Sequence, residues 1–283
     1  MQHTSRAIPD VDEAQPVSEG DWKSAITDVA PNEIRVRGYR LDELMGRIDF
    51  GQAVYLLLRG DLPDDGVGRL MTAMLVSSID HGVTPPSVLG ARNAASTGAS
   101  LSASVASGVL SINRFHGGAV EDCARVLGEV VAGAAASPAS SGADGPALES
   151  SARAVVASCR QRGVRIAGFG HRVHTADPRT DRLFKLADEA AVSGAHCRAC
   201  RLVEAELERQ SGRGLPINVD GALAAVLGDL GFEIELMNSV FIIARTAGLI
   251  AHAREERIRQ RPMRRIDPAA CAYDGPGPRA LCR

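Results

Sequence analysis

ASTGASLSASVASGVLSINRF, residues 95–115, consists mostly of alanine, serine and other small or apolar residues and carries no charge before Arg114. Small side chains allow neighbouring helices to approach closely, and the lack of charge suits a helix that is covered on several sides. We therefore predict that this segment is a central, buried helix. It leads directly into His116-Gly117-Gly118, so a histidine follows the end of the predicted helix.

Helical spacing also dominates the chain before this segment. IRVRGYRLDELMGRIDFGQAVYLLLRGDLP, residues 34–63, has a short extended start and a turn, followed by apolar residues at helical spacing over residues 41–58. Gly60 and Pro63 are expected to end this helix. A second amphipathic helix is predicted over about residues 67–79.

The carboxyl half continues the same pattern. An acidic helix is predicted over 119–136 and an exposed loop over 137–146, where Ser, Pro and Gly are frequent. An amphipathic helix follows over roughly 195–211, and the apolar segment 241–260 is predicted to be another helix. No internal repeat is visible, so the sequence predicts an all-α fold.

Composition is consistent with this fold class. The chain has 283 residues, of which 45% are apolar and only 4% aromatic, so its core must consist of Ala, Val, Leu and Ile. Residues 1–20 are polar and contain proline, which predicts a flexible tail. There is no run of about 18 uncharged apolar residues and no apolar stretch typical of a secretory signal, so we expect a cytoplasmic protein.

Charge and cysteine content exclude several other classes of function. The formal net charge of −2 includes no basic stripe, so we expect neither nucleic acid nor a membrane surface as a partner. Six cysteines without a secretion signal indicate reduced thiols. The segment His196-Cys197-Arg198-Ala199-Cys200 has ligand-like spacing, but no second Cys/His pair follows at a suitable distance, so no metal site is predicted.

Four residues with catalytic potential lie at predicted segment junctions, close to Gly or Pro: His81, His116, His171 and Asp220. A buried aspartate beside neutral imidazoles can act as a general base, and imidazoles can donate hydrogen bonds to an enolate oxygen. Such a set suits proton abstraction next to a carbonyl. The alternative for any single histidine is a capping role at a helix end, and the residues alone leave open whether the four meet in space.

Three segments resemble citrate synthases, and the resemblance covers the chain from about Trp22 onward. Residues 34–63 are similar to the family's RGY…LL.GELP signature. GFGHRVHTADPR, residues 168–179, is similar to its GHRVYK.DPR signature, and INVDGALAAVLGDLGF, residues 217–232, to its NVD segment. The motifs occur in the same order as in the family.

The resemblance implies a role for each matching residue. Asp220 would take the α-proton of an acyl-CoA, His116 would donate to the enol oxygen, and His171 would polarise a keto carbonyl. The other implied residues bind carboxylates or CoA. They are His81, Arg179 and Arg245 for the carboxylates, the backbone of Ile166, Ala167, Gly168, Phe169 and Gly170 for CoA, Arg172 as a further CoA ligand, and Arg264, preferred over Arg261 and Arg265, as an arginine donated to a partner subunit.

The resemblance also implies an architecture. We expect a large helical domain made of residues 20–115 and 223–283, and a smaller helical domain, 116–222, inserted between them. The active site would lie in the cleft, and the protein would be a homodimer. A coenzyme A thioester would be the substrate, with no permanently bound cofactor.

Two departures from ordinary citrate synthases leave the direction of the reaction open. Between Pro63 and Asp80 there is only a short helix where citrate synthases have several more, which resembles citryl-CoA lyase and the lyase module of ATP citrate lyase. That module lacks the histidine of the HGGA motif, whereas His116 is present here. The expected function is condensation of acetyl-CoA with oxaloacetate or cleavage of citryl-CoA. The alternatives are a methylcitrate-type synthase using a longer acyl-CoA and a non-catalytic CoA-binding paralogue.

Overall fold

The computed structural model describes residues 23–136, 145–170, 175–212 and 214–281. Within these ranges the regular structure is mostly helical, with only one small sheet, which confirms the predicted fold class. The helices are α1 (Leu41–Leu44), α2 (Phe50–Arg59), α3 (Asp65–Ser77), α4 (Pro86–Ser96), α5 (Leu101–Leu110), α6 (Ala119–Ala135), α7 (Pro146–Gln161), α8 (Pro178–Glu189), α9 (Ala195–Ser211), α10 (Val219–Asp229) and α11 (Ile234–Arg259).

A small antiparallel sheet precedes the helices. Its strands are β1 (Thr27–Ala30), β2 (Glu33–Val36) and β3 (Tyr39–Arg40), in the order β1-β2-β3. The extended start predicted at residue 34 is therefore confirmed as part of β2. The sheet is largely exposed and lies outside the main core.

The single helix predicted over residues 41–58 is wrong, because the structure has two helices there. Gly46 adopts a positive φ of 79° after α1. Asp49 then starts α2 with a capping box: its side chain accepts from Gln52 N at 2.8 Å, and the Gln52 side chain accepts from Asp49 N at 3.0 Å. Gly60 ends α2 with a φ of 92°, as predicted.

The central buried helix predicted for residues 95–115 is also wrong. Gly98 has a φ of 87°, and the Ser100 side chain caps α5 through Ala103 N at 3.1 Å, so the segment divides between α4 and α5. Helix α5 buries only Ser104 and Gly108 and packs on α4 and α11, while the Leu110 side chain is 78% exposed. The absence of charge therefore does not correspond to a buried helix within this chain.

The central helix of the fold is α10. Every residue of this helix from Gly221 to Leu227 is buried, and the helix packs against α6, α8 and α9. These helices, with α2, α3 and α7, form the main apolar cluster, which also includes Val240 and Ala244 of α11. A separate small cluster joins α4 and α5 to Leu249 of α11. The predicted division into a large and a smaller domain stays a prediction.

Helix α11 is long and apolar enough to cross a membrane by length and composition alone. Its contacts identify it instead as a core helix, because it packs against α3, α4, α5, α6 and α10 and buries Arg245 and Glu256. These two charges are paired with polar groups of the same chain. The cytoplasmic location stays a prediction.

The segment with metal-like spacing, residues 196–200, starts a helix and is held by a carboxylate. Asp229, at the end of α10, accepts from Gly194 N at 2.6 Å, His196 N at 2.8 Å and Cys197 N at 2.9 Å, and lies 3.1 Å from His196 Nδ1. Among the described residues there is no cluster of three or more metal-ligating side chains. The observed role of this segment is to join α9 to α10.

Asp229 should make the stability of the protein depend on acid pH. Burial opposes its charge, but the hydrogen bonds with His196 and Cys197 outweigh that effect and lower the pKa of this carboxyl to about 2. Because the folded pKa lies below the unfolded value of about 3.9, the stabilisation of about 2 kcal/mol is present above about pH 4 and is lost as the pH falls towards 2. The free energy of unfolding of wild type and Asp229→Asn, measured by urea titration, should differ most above pH 5 and converge towards pH 2.

The matched control is Asp61→Asn, which changes an exposed carboxylate. It should leave the free energy of unfolding within about 0.5 kcal/mol of wild type at each pH. A difference between Asp229→Asn and wild type that stays constant from pH 6 to pH 2 would contradict the ionised cap.

Candidate active site

Asp220 lies in the first turn of α10, where it is only partly exposed. Asn218 is the N-cap of this helix, and its side-chain oxygen accepts from Asp220 N at 3.0 Å and Gly221 N at 3.2 Å. The cap fixes the backbone at Asp220, so the position of the carboxylate depends on the rigid end of a buried helix.

The surroundings of Asp220 raise its pKa to about 6. Burial is the main cause, and the negative charge of Asp177 acts in the same direction, whereas the positive charges of Arg179 and Arg245 oppose the shift. A carboxylate with this pKa is still ionised at neutral pH and is a stronger base than an ordinary aspartate. These are the properties required of a general base.

The glycine-containing loop at residues 166–170 lies against the start of α10. Gly170 N donates to Pro216 O at 2.7 Å, and Asn218 N donates to Gly168 O at 3.0 Å. The Asn218 side chain also donates to Gly170 O at 3.0 Å. Asn218 thus connects the loop to the helix that carries Asp220, and it brings the chain up to residue 170 beside that carboxylate.

Close approach of two backbones requires glycine at two positions. Gly168 has a φ of 86°, and an added Cβ there would meet Cys123 Sγ at 2.6 Å and Gly221 Cα at 2.8 Å. A Cβ at Gly221 would overlap the carbonyl oxygen of Gly168. Any larger residue at either position would push the loop away from α10.

A cavity of about 300 Å³ lies beside the same loop. Ile166 and Phe169 of the loop form part of its wall, together with apolar residues of α7 and α9. Arg160 and Arg165 also line it. The cavity therefore combines apolar surface with positive charge.

His116 follows a tight turn before α6. Asn113 and His116 exchange two backbone hydrogen bonds of 2.8 Å, and His116 Nε2 lies 2.8 Å from Ser87 Oγ. The imidazole meets the ring of Phe241 edge-on, with centroids 5.8 Å apart. Burial, with a smaller effect from the charge of Arg245, lowers the pKa of His116, so the imidazole is neutral at pH 7.

Arg245 is a buried cation on α11. Its Nε donates to Ser78 O at 3.1 Å, and its guanidinium carbon lies 4.6 Å from the centroid of the Phe241 ring. Its Nη1 is buried and has no hydrogen-bond partner. An unpartnered buried donor is costly, and a ligand carboxylate would satisfy it.

Arg179, at the start of α8, is held by its own neighbour. Its Nε and Nη2 form a two-pronged pair with the buried Asp177 carboxylate, at 2.9 and 2.7 Å, and its Nη1 donates to Ser77 O at 3.3 Å. The guanidinium is thus fixed in orientation. Its positive charge acts to lower the pKa of both Asp220 and Arg245.

The structure brings four of the predicted residues into one electrostatic group: Asp220, Arg179, Arg245 and His116. His81 is an exposed residue of the turn that follows α3. Arg264 lies elsewhere in this chain, where it forms a two-pronged pair with Glu256 at 2.9 and 2.6 Å. The predicted residues His171 and Arg172 lie outside the described residues, as does His174.

Sequence reasoning missed three residues that contact this group: Ser87, Asp177 and Phe241. Asp177 stands in the quoted DPR motif, so its pairing with Arg179 could have been proposed from the sequence. Ser87 lies in the first turn of α4 and Phe241 in the apolar helix α11. Nothing in the sequence near either residue indicates a contact with His116.

Residues 63–266 match the family model of the citrate synthase C-terminal domain. The chain belongs to the citrate synthase family. The resemblance inferred from the sequence motifs is therefore confirmed. The match includes α3 to α11 and every described residue of the electrostatic group.

Solved structures of this family show the same fold. The structure of citryl-CoA lyase from Hydrogenobacter thermophilus is 40% identical, with a TM-score of 0.82, and the match covers 92% of this chain and 97% of that one. The structure of an ATP citrate lyase of Methanosaeta concilii in complex with (3S)-citryl-CoA is 23% identical, with a TM-score of 0.72. The match covers 94% of this chain and 43% of that one, and at this identity it supports only the fold.

Curated relatives in the citrate synthase family are longer than this chain. Putative citrate synthase 2 of Mycobacterium tuberculosis is 30% identical over 223 residues, which is 77% of this chain and 54% of the relative. The chain thus spans about half the length of such a relative.

The close contact between Gly168 and Gly221 should be essential for stability. Gly221→Ala would force the 166–170 loop away from α10, and overpacking of this kind costs about 1–3 kcal/mol. We expect a lower melting temperature and a lower free energy of unfolding. Gly128→Ala is the control, because Gly128 lies within α6 with open space around its Cα, and alanine there should stabilise the helix by about 0.5–1 kcal/mol. Equal effects of the two substitutions would contradict the close approach.

Proposed function

We propose that this protein catalyses carbon–carbon bond chemistry between acetyl-CoA and oxaloacetate, with cleavage of citryl-CoA as the leading reaction and condensation as its reverse. The observation that carries the proposal is the grouping of Asp220, His116 and Arg245: a base with a raised pKa, a neutral imidazole and a buried cation with an unpartnered donor. The similarity to a citryl-CoA lyase along nearly the whole length of both chains favours the cleavage direction.

The proposed cleavage begins at the hydroxyl group of citryl-CoA. Loss of its proton, with His171 as the acceptor implied by the family resemblance, forms the keto group of oxaloacetate as the C–C bond breaks. The bonding electrons pass to the acetyl fragment, which leaves as the enolate of acetyl-CoA. Asp220, protonated at that stage, returns a proton to the enolate carbon. Condensation follows the same steps backwards, and ionised Asp220 then removes the α-proton.

His116 would stabilise the enolate oxygen. Ser87 can donate its hydroxyl proton to His116 Nε2 across 2.8 Å, which leaves the ring proton of the neutral imidazole on Nδ1. That Nδ1–H is then the donor for the enolate oxygen. A hydrogen bond from a neutral imidazole also avoids full proton transfer to the enolate.

Arg245 would bind a carboxylate of the keto acid through Nη1, the donor left without a partner. His81 and Arg179 complete the proposed carboxylate site. Asp177 already accepts hydrogen bonds from Arg179 Nε and Nη2, so Arg179 has fewer donors left for a substrate carboxylate. Its contribution to binding is therefore mainly its positive charge. Arg264 stays a candidate for the arginine contributed by a partner subunit.

Coenzyme A would lie along the backbone of residues 166–170. The adjoining cavity of about 300 Å³ offers an apolar wall for the adenine ring, and Arg160 and Arg165 offer positive charge for the phosphates. Arg172 stays a further candidate.

A homodimer would cover the exposed face of α4, α5 and α11. This face carries Leu89 and Leu101, which are 51% and 42% exposed, as well as Leu110 and Ile250. Apolar side chains of this size on one continuous face are typical of a protein–protein interface. The small residues of α5 would allow a helix of a second copy to approach closely.

Turnover should require Asp220. The purified protein would be given citryl-CoA, and separately oxaloacetate with acetyl-CoA or propionyl-CoA, and products would be followed by mass spectrometry. We expect conversion between citryl-CoA and acetyl-CoA plus oxaloacetate, and a rate about 100-fold or more lower in Asp220→Asn. Asp181→Asn, an exposed aspartate in the first turn of α8, should keep full activity.

Other results would identify an alternative. Preference for propionyl-CoA would indicate a methylcitrate-type synthase, and CoA binding without turnover would indicate a non-catalytic paralogue.

In the condensation direction, kcat/KM should fall as the pH drops below about 6, because protonated Asp220 cannot accept a proton. At pH 7.5, Asp220→Asn should unfold at a higher temperature than wild type, because burial of the charge costs up to about 3 kcal/mol. A folded variant with normal turnover would refute the assignment of the base.

The dimer should depend on the apolar residues of α5. Leu101→Arg combined with Leu110→Arg would place two charges on the proposed interface, where they could not be solvated, so we expect a monomer by size-exclusion chromatography with light scattering. Phe50→Arg alters another exposed apolar residue, at the start of α2, and should leave the dimer intact. A monomeric wild-type protein would contradict the proposed homodimer.

A further inference from the structure

One face of α11 contacts three consecutive residues of the segment that precedes His81. Arg245, Gly248 and His252 are spaced three and four residues apart, so they lie on the same side of the helix. Arg245 Nε donates to the carbonyl oxygen of residue 78 at 3.1 Å. These three residues form a stripe along α11, and the stripe runs beside residues 78–80.

The other two contacts of this stripe are as close. Gly248 has no side chain, and an added Cβ would overlap Ile79 O and approach Asp80 Oδ1 to 3.1 Å. One turn later, His252 Nε2 lies 2.9 Å from Asp80 Oδ1. The segment therefore has little freedom to move relative to α11.

The hydrogen bonds of His252 determine which of its ring nitrogens carries the proton. Arg92 Nη1 lies 3.3 Å from His252 Nδ1, and arginine can only donate, so Nδ1 is the acceptor. Nε2 then carries the proton and donates it to Asp80. Arg92 is itself fixed by the buried Glu256, from Nε to Oε2 at 2.8 Å, and by Glu255, from Nη1 to Oε2 at 2.9 Å.

Asp80 contacts the turn around His81 and also acts on Arg245 of α11. Its Oδ2 accepts from Gly82 N at 2.9 Å, which closes a short turn around His81. Its charge also attracts Arg245. Asp80 thus connects two residues that the proposed function assigns to the carboxylates of the keto acid.

We propose that Asp80 and His252 form a positioning pair for the keto-acid carboxylate site, in which the Nε2–H of His252 holds Asp80, and Asp80 holds the turn of His81 beside Arg245. The inference rests on the proposed function and adds two residues to it. Neither residue touches the reacting atoms. Loss of the pair should weaken keto-acid binding and leave acetyl-CoA binding unchanged.

The test compares two substitutions of His252. His252→Leu removes the donor to Asp80, whereas the amide of His252→Gln can place an N–H close to the position of Nε2. We expect His252→Leu to raise the KM for oxaloacetate about tenfold in the condensation direction, with the KM for acetyl-CoA within about twofold of wild type. His252→Gln should restore most of the affinity.

The control uses another histidine–aspartate pair of the same chain. His196 lies 3.1 Å from Asp229 but belongs to the α9–α10 junction, so His196→Leu should lower the melting temperature without changing either KM. An unchanged oxaloacetate KM in His252→Leu, or the same loss in His252→Gln, would overturn the positioning role. Nuclear magnetic resonance of the histidine side chains should find the proton that His252 donates on Nε2, and a proton on Nδ1 in its place would also overturn the inference.

The same measurements separate the two proposals. A wild-type protein that converts neither citryl-CoA nor acetyl-CoA with oxaloacetate would refute the proposed function, and the positioning role with it. A wild-type protein with normal turnover, beside a His252→Leu variant with unchanged kinetics, would refute only the positioning role.

Discussion

The close approach of the 166–170 loop to the start of α10 is the constraint on which the rest of the site depends. Gly168 and Gly221 allow two backbones to touch, and Asn218 fixes them together with bonds to both. This contact places the cap of a buried helix, and therefore Asp220, beside a largely buried loop whose backbone groups are hydrogen-bonded to Pro216 and Asn218. Burial raises the pKa of Asp220 only because the helix holds it out of solvent, so the chemistry depends on the packing.

Phe241 organises the opposite side of the site. Its ring meets His116 edge-on and lies under the guanidinium of Arg245, so one apolar side chain fixes a hydrogen-bond donor and a cation. Burial and, to a smaller extent, the charge of Arg245 lower the pKa of His116, which keeps the imidazole neutral. The fold thus arranges charge around the site from α10 on one side and α11 on the other.

Local structure could be predicted from the sequence where it depends on nearby residues, such as helix periodicity and glycine caps. Prediction was less successful where structure depends on which residues pack against a helix. The bounds of α9 and the end of α2 at Gly60 follow from periodicity and a glycine cap, and both are confirmed. The prediction for residues 95–115 failed because small uncharged residues do not by themselves bury a helix, and because Gly98 and Ser100 divide the segment between α4 and α5. In the site, Asp220, His116 and Arg245 came from motifs, whereas Ser87 and Phe241 are joined to them only by tertiary packing. Asp80 and His252 could not be paired from the sequence, since 172 residues separate them.

The residues of this site do not by themselves favour synthesis over cleavage. Bond formation and bond breaking pass through the same transition state, so a base at the α-carbon, a donor to the enolate and cations for the carboxylates serve both directions equally. A synthase differs by one further step, the hydrolysis of the thioester, which requires water to reach the citryl-CoA carbonyl. The distinction between a lyase and a synthase therefore depends on whether water can reach that carbonyl. The likeness to a citryl-CoA lyase along nearly the whole length of both chains is why the lyase is the leading proposal here.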